Sequence, residues 1–356
     1  MWIAILIVLI VVLALVLLHI AQRARATAAS SADPISSAQP QASVDTADAA
    51  PFATEATANA AAECFRLAFK VVQFDYQIVG EHAAVLASVG DSLDESVHER
   101  EYFPRRPMLL PKLLQAINDS ESTRKELVDL LMEEPTLAGA VLQRANSAYY
   151  RVSPEPIESL DRAVFMLGTD GLRGLMATAI LQPVFRLPRG YFENFADITW
   201  EQAERTASAA ESHARAGLDT EPIVAQLLGM LSLLAHIVLF RITLDKYREH
   251  PSVLPRAEVF IKAIQMHRAR IAGLIAQTWQ LTDISVAAFT EQQQQVAPSQ
   301  MSSLGRCLYF GDLCGALSTL AAHDLSSKET AQALLIEQGA DRETTRAIWR
   351  AAASIQ

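Results

Sequence analysis

Residues Trp2 to Ile20, WIAILIVLIVVLALVLLHI, carry no charged side chain. A helix over this run is about 28 Å long, close to the ~30 Å hydrocarbon core of a bilayer. No other feature constrains the chain as strongly. It predicts a transmembrane helix over residues 2–20, so that whatever follows folds beside a membrane. A cleaved signal peptide would start with basic residues, carry a shorter apolar run and end at a small-residue cleavage site. Here Met1-Trp2 brings no Lys or Arg, and the run is too long. Arg23 and Arg25 follow directly, so the positive-inside rule places the carboxyl side in the cytoplasm, with Trp2 at the opposite interface.

Residues 21–54 are rich in Ala, Ser, Pro, Gln and Thr and lack aromatics until Phe52. Such a stretch cannot bury a core and reads as a flexible linker. A helical connector is expected over residues 55–100. Within it Phe65, Ala68, Phe69, Val72 and Tyr76 repeat at three and four along a helix reaching about Asp91. An apolar stripe of this kind either docks on the main domain or pairs with a second copy, which would make the protein a homodimer.

The remaining chain shows helical periodicity and no run of alternating strands. It predicts an all-α, multi-helix domain over residues 101–322, followed by further helices over 323–356. Thr123 to Glu126 reads as a capping box. Pro135 fits a first helical position, and Leu137, Ala140, Val141 and Ala145 share a face. Asn146-Ser147 ends that helix, because Asn tolerates a left-handed cap and its side chain competes for backbone hydrogen bonds. Pro154 and Pro156 delay the next helix, which Ser159 caps and which runs from Leu160 to Leu167, with Gly168 as its terminal glycine. Thr199 to Gln202 reads as a second helix start. Ile223 to Ile242 is apolar nearly all round, and is either a central core helix or a second membrane span; Gln226 and His236 interrupt it. Pro255–His267, Arg268–Trp279, Leu304–Leu320 and the stretch from Thr330 onward complete the expected helices.

The chain is acidic, with a formal charge of −10, which argues against nucleic acid as a main partner. Cys64, Cys307 and Cys314 form neither a C-x-x-C pair nor a Cys/His cluster. They read as buried thiols rather than ligands or disulfides. No G-x-S-x-G, P-loop or Gly-rich dinucleotide turn is present, and no cofactor is implied.

The order and register of Pro135, Leu137, Leu142 and Ala145-Asn146-Ser147, then Ile157, Ser159-Leu160, Ala163 and Leu167-Gly168, resemble the HDOD family, the HD-related output domain of bacterial signalling proteins. Phe103-Pro104 to Pro111 resembles the proline-marked start of these domains. The resemblance covers roughly Phe103 to Leu320. His267, in H-R-A-R-I-A-G-L-I-A-Q-T-W, falls in a helix similar to one that these sequences carry, and reads as structural. Family membership implies an all-α module that is generally non-catalytic. Combined with the apolar run, it implies a single-pass protein of the bacterial inner membrane that presents a cytoplasmic surface to an unidentified signalling protein. Asn146, Tyr149, Tyr150 and Arg151 are the contact candidates, since exposed aromatics and Arg dominate interface energies; the competing reading packs both tyrosines inside the domain.

Catalytic members of the wider HD superfamily hold metal on a His, a His-Asp pair and a distant Asp, and the metal activates water against a phosphoester. In this chain Gln202 stands near the first His, Ser232 and Leu233 at the His-Asp pair, and Asp312 at the distant Asp. The later His-His is replaced around Glu291 to Gln293. Leucine cannot ligate a metal, so no metal and no enzyme activity is expected. The alternatives are a phosphohydrolase with a site rebuilt around Asp312, and a nucleotide sensor using the vestigial pocket.

Overall fold

The computed structural model describes residues 55–75, 77–95, 103–112, 115, 128–129, 131, 135–146, 155–157, 159–187, 190–217 and 219–355. The expected transmembrane run, the linker, the Thr123–Glu126 capping box, and Tyr149, Tyr150 and Arg151 lie outside these residues. The described α-helices are α1 (Glu55–Phe69), α2 (Glu81–Glu95), α3 (Pro135–Ala145), α4 (Leu160–Leu181), α5 (Asn194–Arg215), α6 (Pro222–Arg248), α7 (Ala257–Thr278), α8 (Asp283–Gln293), α9 (Ser303–Ala322), α10 (Lys328–Glu337) and α11 (Arg342–Ala353). No strand occurs among the described residues. The expected all-α class is therefore the observed one.

Helix α6 is the axis of the domain. It is the helix among the described residues that is long and apolar enough to cross a membrane by length and composition, yet nearly all of it is buried in protein. Helices α5, α7, α2, α4 and α9 pack around it. Its polar interruption is spent on packing: Gln226 Nε2 donates to the Gly174 carbonyl of α4 at 3.0 Å. A core helix uniform in hydrophobicity needs neighbours on every side, and this one has them.

Helix α5 lies between α6 and α9, and small residues set both separations. A Cβ on Gly229 of α6 would come within 3.0 Å of Ala207 Cα, and one on Gly315 of α9 within 2.8 Å of the Thr206 backbone. Glycine is required where helix backbones approach this closely. These contacts hold α6 and α9, which carry Ser232 and Asp312, against one shared helix.

The connector docks on the domain. Phe69 of α1 inserts into a cluster of rings, with centroids 5.0 Å from Phe192, 4.8 Å from Phe195 and 6.0 Å from Phe260. Cys64 Sγ donates to the Ala316 carbonyl at 3.4 Å. All three cysteines are buried and free, and burial pushes the thiols of Cys64 and Cys307 up to about 12.

Several helix boundaries differ from the expected ones. The connector is two helices: Lys70 (φ 52°) and Gly80 (φ 60°) turn the chain, and Asp75 N–H donates to Glu258 Oε1 at 3.0 Å, pinning the break to the start of α7. Helix α5 begins at Asn194 rather than at Thr199, because buried Phe195 and Ile198 extend its apolar stripe backward. Pro255–His267 and Arg268–Trp279 form the single helix α7, since no Gly or Pro stands at their junction. The carboxyl-terminal helix is split by Gly339 (φ 101°), after which Asp341 caps α11 by accepting from the N–H groups of Glu343 and Thr344. Gly168 (φ 71°) does break the helical run of α4, as expected, but Ser159 makes no side-chain cap bond.

Candidate functional site

Four helices bring three of the four degenerate positions together with one cation. Helix α5 contributes Gln202, α6 contributes Ser232, α7 contributes Arg268 and α9 contributes Asp312. They surround or back a cavity of about 500 Å³. Ser232 Oγ donates to Asp312 Oδ2 at 2.9 Å, and Arg268 Nη1 lies 3.5 Å from the same oxygen. Asp312 Oδ1 is buried and has no hydrogen-bonding partner. The Asp312 side chain is 14% exposed and that of Arg268 42%, so the carboxylate forms the floor and the guanidinium reaches toward the mouth. Burial raises the Asp312 carboxyl above the usual carboxylate range; the Arg268 charge and the Ser232 hydroxyl draw it partly back.

Leu233 does not join the site: it is buried in the main apolar core. The stretch read as the replaced His-His divides between two tasks. Glu291 accepts from Ser302 N–H at 3.2 Å and from its hydroxyl at 3.0 Å, while Gln292 Nε2 donates to the Gly305 carbonyl at 3.0 Å. Both therefore fasten the turn from α8 to α9, and Gln293 lines the cavity.

The remaining wall is rich in amides. Gln265, Gln293 and Gln295 face the cavity beside Gln202, and among the described residues none of these four side chains has a hydrogen-bonding partner. Met266, Met301 and Leu313 add apolar surface, and Ala60 and Ala61 of α1 close one side.

This set does not fit a divalent metal of the HD type. Among the described residues no three His, Cys, Asp or Glu side chains come together. The one carboxylate on the cavity floor already faces the Arg268 guanidinium, and a second positive charge there is repelled. His236 stands one helical turn after Ser232 but is no ligand: it is buried beside Phe65, ring centroids 5.8 Å apart. Its Nε2 has no partner, and burial, with Arg268 adding to it, pushes the imidazole down to about 3. His213 is likewise buried, its Nδ1 3.5 Å from Cys307 Sγ, and held down at about 4 mainly by burial.

Asn146 is occupied within the chain. Its Nδ2 donates to the carbonyls of Leu142 at 2.9 Å and Ile157 at 2.8 Å, and its Oδ1 accepts from Ile157 N–H at 2.7 Å. Both amide protons are used, so this side chain staples the two ends of the 147–156 segment rather than offering donors to a partner. Its backbone is not left-handed; of the two expected reasons for the end of α3, the side chain's competition for backbone hydrogen bonds is the one observed. Sequence reasoning also passed over Arg268. The visible signal was a cation directly after His267, but nothing in the sequence says which face it takes.

A match to the HDOD domain family spans residues 103–295. No curated protein is similar to the chain. Among solved structures, an HDOD domain protein of unknown function from Geobacter sulfurreducens superposes with a TM-score of 0.52 at 16% identity, covering 77% of this chain and 99% of its own. A protein from Shewanella amazonensis SB2B, provisionally named a metal-dependent phosphohydrolase, gives 0.52 at 13% identity, covering 76% and 99%. One from Marinobacter aquaeolei VT8, provisionally named a signal transduction protein, gives 0.50 at 18%, covering 79% and 68%. At these identities the likeness is one of fold.

Proposed function

The chain belongs to the HDOD domain family, and from that premise we propose that it is a non-catalytic signalling module, anchored in the bacterial inner membrane by residues 2–20 and acting in the cytoplasm by contact with a protein partner. The observation that carries this reading is the exchange of metal ligands for a guanidinium. Where HD chemistry needs imidazoles and carboxylates around a metal, this chain places Gln202, Ser232 and a buried Leu233, with Arg268 3.5 Å from the surviving Asp312. A guanidinium can bind a phosphoryl oxygen, but it has no coordination site at which to acidify a water to hydroxide as a divalent metal does. The partner surface is assigned to the 147–156 segment, with Tyr149, Tyr150 and Arg151 as its contacts.

Two measurements test the reading. Elemental analysis of the full chain, purified without chelators and paired with phosphomonoester and phosphodiester hydrolysis assays, is expected to find neither stoichiometric Mn, Fe or Zn nor turnover. Stoichiometric metal lost on Asp312→Asn would overturn the non-catalytic reading. Co-purification from native membranes, comparing the chain with a Tyr149→Ala/Tyr150→Ala/Arg151→Ala variant, is expected to recover a partner only with the unaltered chain. Equal recovery would move the surface elsewhere.

A further inference from the structure

Helix α11 carries a charge pattern that the rest of the domain does not use. It buries Thr345, Ile348, Trp349 and Ala352 and turns Arg342, Arg346 and Arg350 to solvent. These three stand at i, i+4 and i+8, within about 80° of arc on one face and over about 12 Å of helix. Like charges at this spacing repel and weaken a helix. Several exposed arginines elsewhere are matched within their own helix: Arg66 by Glu63, Arg215 by Glu211 and Arg248 by Asp245. On α11 no such matching occurs. Among the described residues, Arg342, Arg346 and Arg350 make no ion pair and no side-chain hydrogen bond. Glu343, three residues before Arg346, does not close on it, and the Asp341 carboxylate is engaged by Thr344 and the first N–H groups of the helix. A row of unmatched cations in a chain of formal charge −10 faces outward, toward an anionic surface.

We infer that the arginine face of α11 docks on the bilayer by binding the phosphate headgroups of anionic phospholipid. The point where the chain enters the domain selects this occupant. Helix α11 shares one apolar cluster with Ala60 and Cys64 of α1, and α1 begins at Glu55, directly after the expected linker. Residues 21–54 span at most about 120 Å, so an anchor at residues 2–20 keeps α11 within reach of a lipid surface. The chemistry agrees. A guanidinium fork takes phosphate oxygens in pairs, and three in a row on a helix lying along the membrane meet adjacent headgroups. Each basic residue near an anionic bilayer strengthens binding about fivefold, hence about a hundredfold for three. Helix α11 also lies outside the 103–295 match, so the contact orients the family domain without occupying it. The inference rests on the anchored reading for the nearness of the bilayer, and on α11 alone for the chemistry.

The test is fluorescence quenching of the full chain in vesicles of phosphatidylcholine alone or of equal parts phosphatidylcholine and phosphatidylglycerol, each doped with headgroup spin-labelled lipid. The native cysteines are buried, so a single introduced thiol takes the fluorophore. Ala353→Cys places it at the end of the arginine face, and Leu254→Cys, at a position 73% exposed in the turn before α7, is the control. Quenching is expected at 353 and not at 254, and only with phosphatidylglycerol. Replacing Arg342, Arg346 and Arg350 together by Gln should lower the docked-to-undocked ratio about a hundredfold, with circular dichroism unchanged. Should that variant fail to fold, salt decides: about 1 M, where the Debye length is about 3 Å, must release the label. Equal quenching at both sites, quenching at 353 without phosphatidylglycerol, or quenching that survives substitution or salt overturns the inference. So does loss of a co-purified protein from the triple variant with its quenching intact, which would give the face to that protein. Flotation separates the two readings. A chain that floats with both vesicle types but shows no quenching at 353 keeps the anchor and loses the docking face. One that floats only with phosphatidylglycerol keeps the face and loses the anchor, and one that floats with neither loses both.

Discussion

Replacing Gly315 by Ala tests whether α9 and α5 meet as closely as the site requires. On helix propensity alone the change should stabilise the protein by about 1 kcal/mol, because Gly is the poorest ordinary residue in a helix interior. Packing opposes it. The new Cβ would stand 2.0 Å from Thr206 Oγ1 and 2.8 Å from both Thr206 Cα and N. The hydroxyl can rotate, since Thr206 Oγ1 has no hydrogen-bonding partner to lose, but the backbone atoms cannot. Restoring a carbon contact of roughly 3.5–4.0 Å requires α9 to withdraw by roughly 1 Å. Overpacking of this kind costs about 1–3 kcal/mol, and two backbone clashes together with a displaced threonine put this case at the upper end. The net loss is then about 2 kcal/mol, or about 4–8 °C in Tm for a domain of this size. The withdrawal also carries Asp312, one turn earlier on α9, away from Ser232. Gly90→Ala on α2 is the control: nothing lies within 4 Å of its Cβ position, so propensity acts alone and Tm should rise slightly. The assay is thermal and urea unfolding of both variants in parallel. If Gly315→Ala raises Tm as Gly90→Ala does, the helices do not meet at this distance, and the placement of Asp312 beside Ser232 loses its support.

Three further outcomes follow from named contacts. His236 is held neutral down to about pH 3 by burial, whereas the unfolded chain takes up its proton below about 6.5; stability is therefore lost as pH falls through that window, by about 1.4 kcal/mol per unit and about 2 kcal/mol by pH 5. His236→Gln should shrink the difference in urea stability between pH 7 and pH 5 by about that amount, and an unchanged difference would refute the assignment. Asn146→Ala removes three hydrogen bonds, two of them to Ile157, and should cost about 1–3 kcal/mol together with faster proteolysis between residues 147 and 156; wild-type cleavage rates would count against the staple. Phe69→Ala empties the centre of the ring cluster and should cost about 3–5 kcal/mol, seen as a fall in Tm and in amide protection across α1. A fall in Tm without loss of α1 protection would mean that the connector docks by other contacts.

How much of this was legible in sequence follows from what periodicity and composition can encode. The α3–α4 motif was readable because Pro135, Asn146 and Gly168 punctuate it locally, and a terminal glycine (φ 71° at Gly168) needs no tertiary knowledge. The start of α5 was missed because a hydroxyl at Thr199 mimics a cap, while the residues that extend the helix, Phe195 and Ile198, do so by burial against other elements. The site divides in the same way. That ligands were missing at Gln202, Ser232 and Leu233 could be read directly, since the absence of an imidazole or a carboxylate is a property of single positions. What stands in their place could not. Arg268 reaches Asp312 from a different helix, 44 residues earlier in the chain, and only the packing of α7 and α9 around α6 and α8 puts the two together. An acidic floor that has lost its metal ligands must either be neutralised or find a new cation, because a buried carboxylate left alone is costly. Here burial raises its proton affinity while the guanidinium and the Ser232 hydroxyl act against that. The balance leaves Oδ2 of Asp312 partnered by Ser232 and Arg268 and Oδ1 buried without a partner.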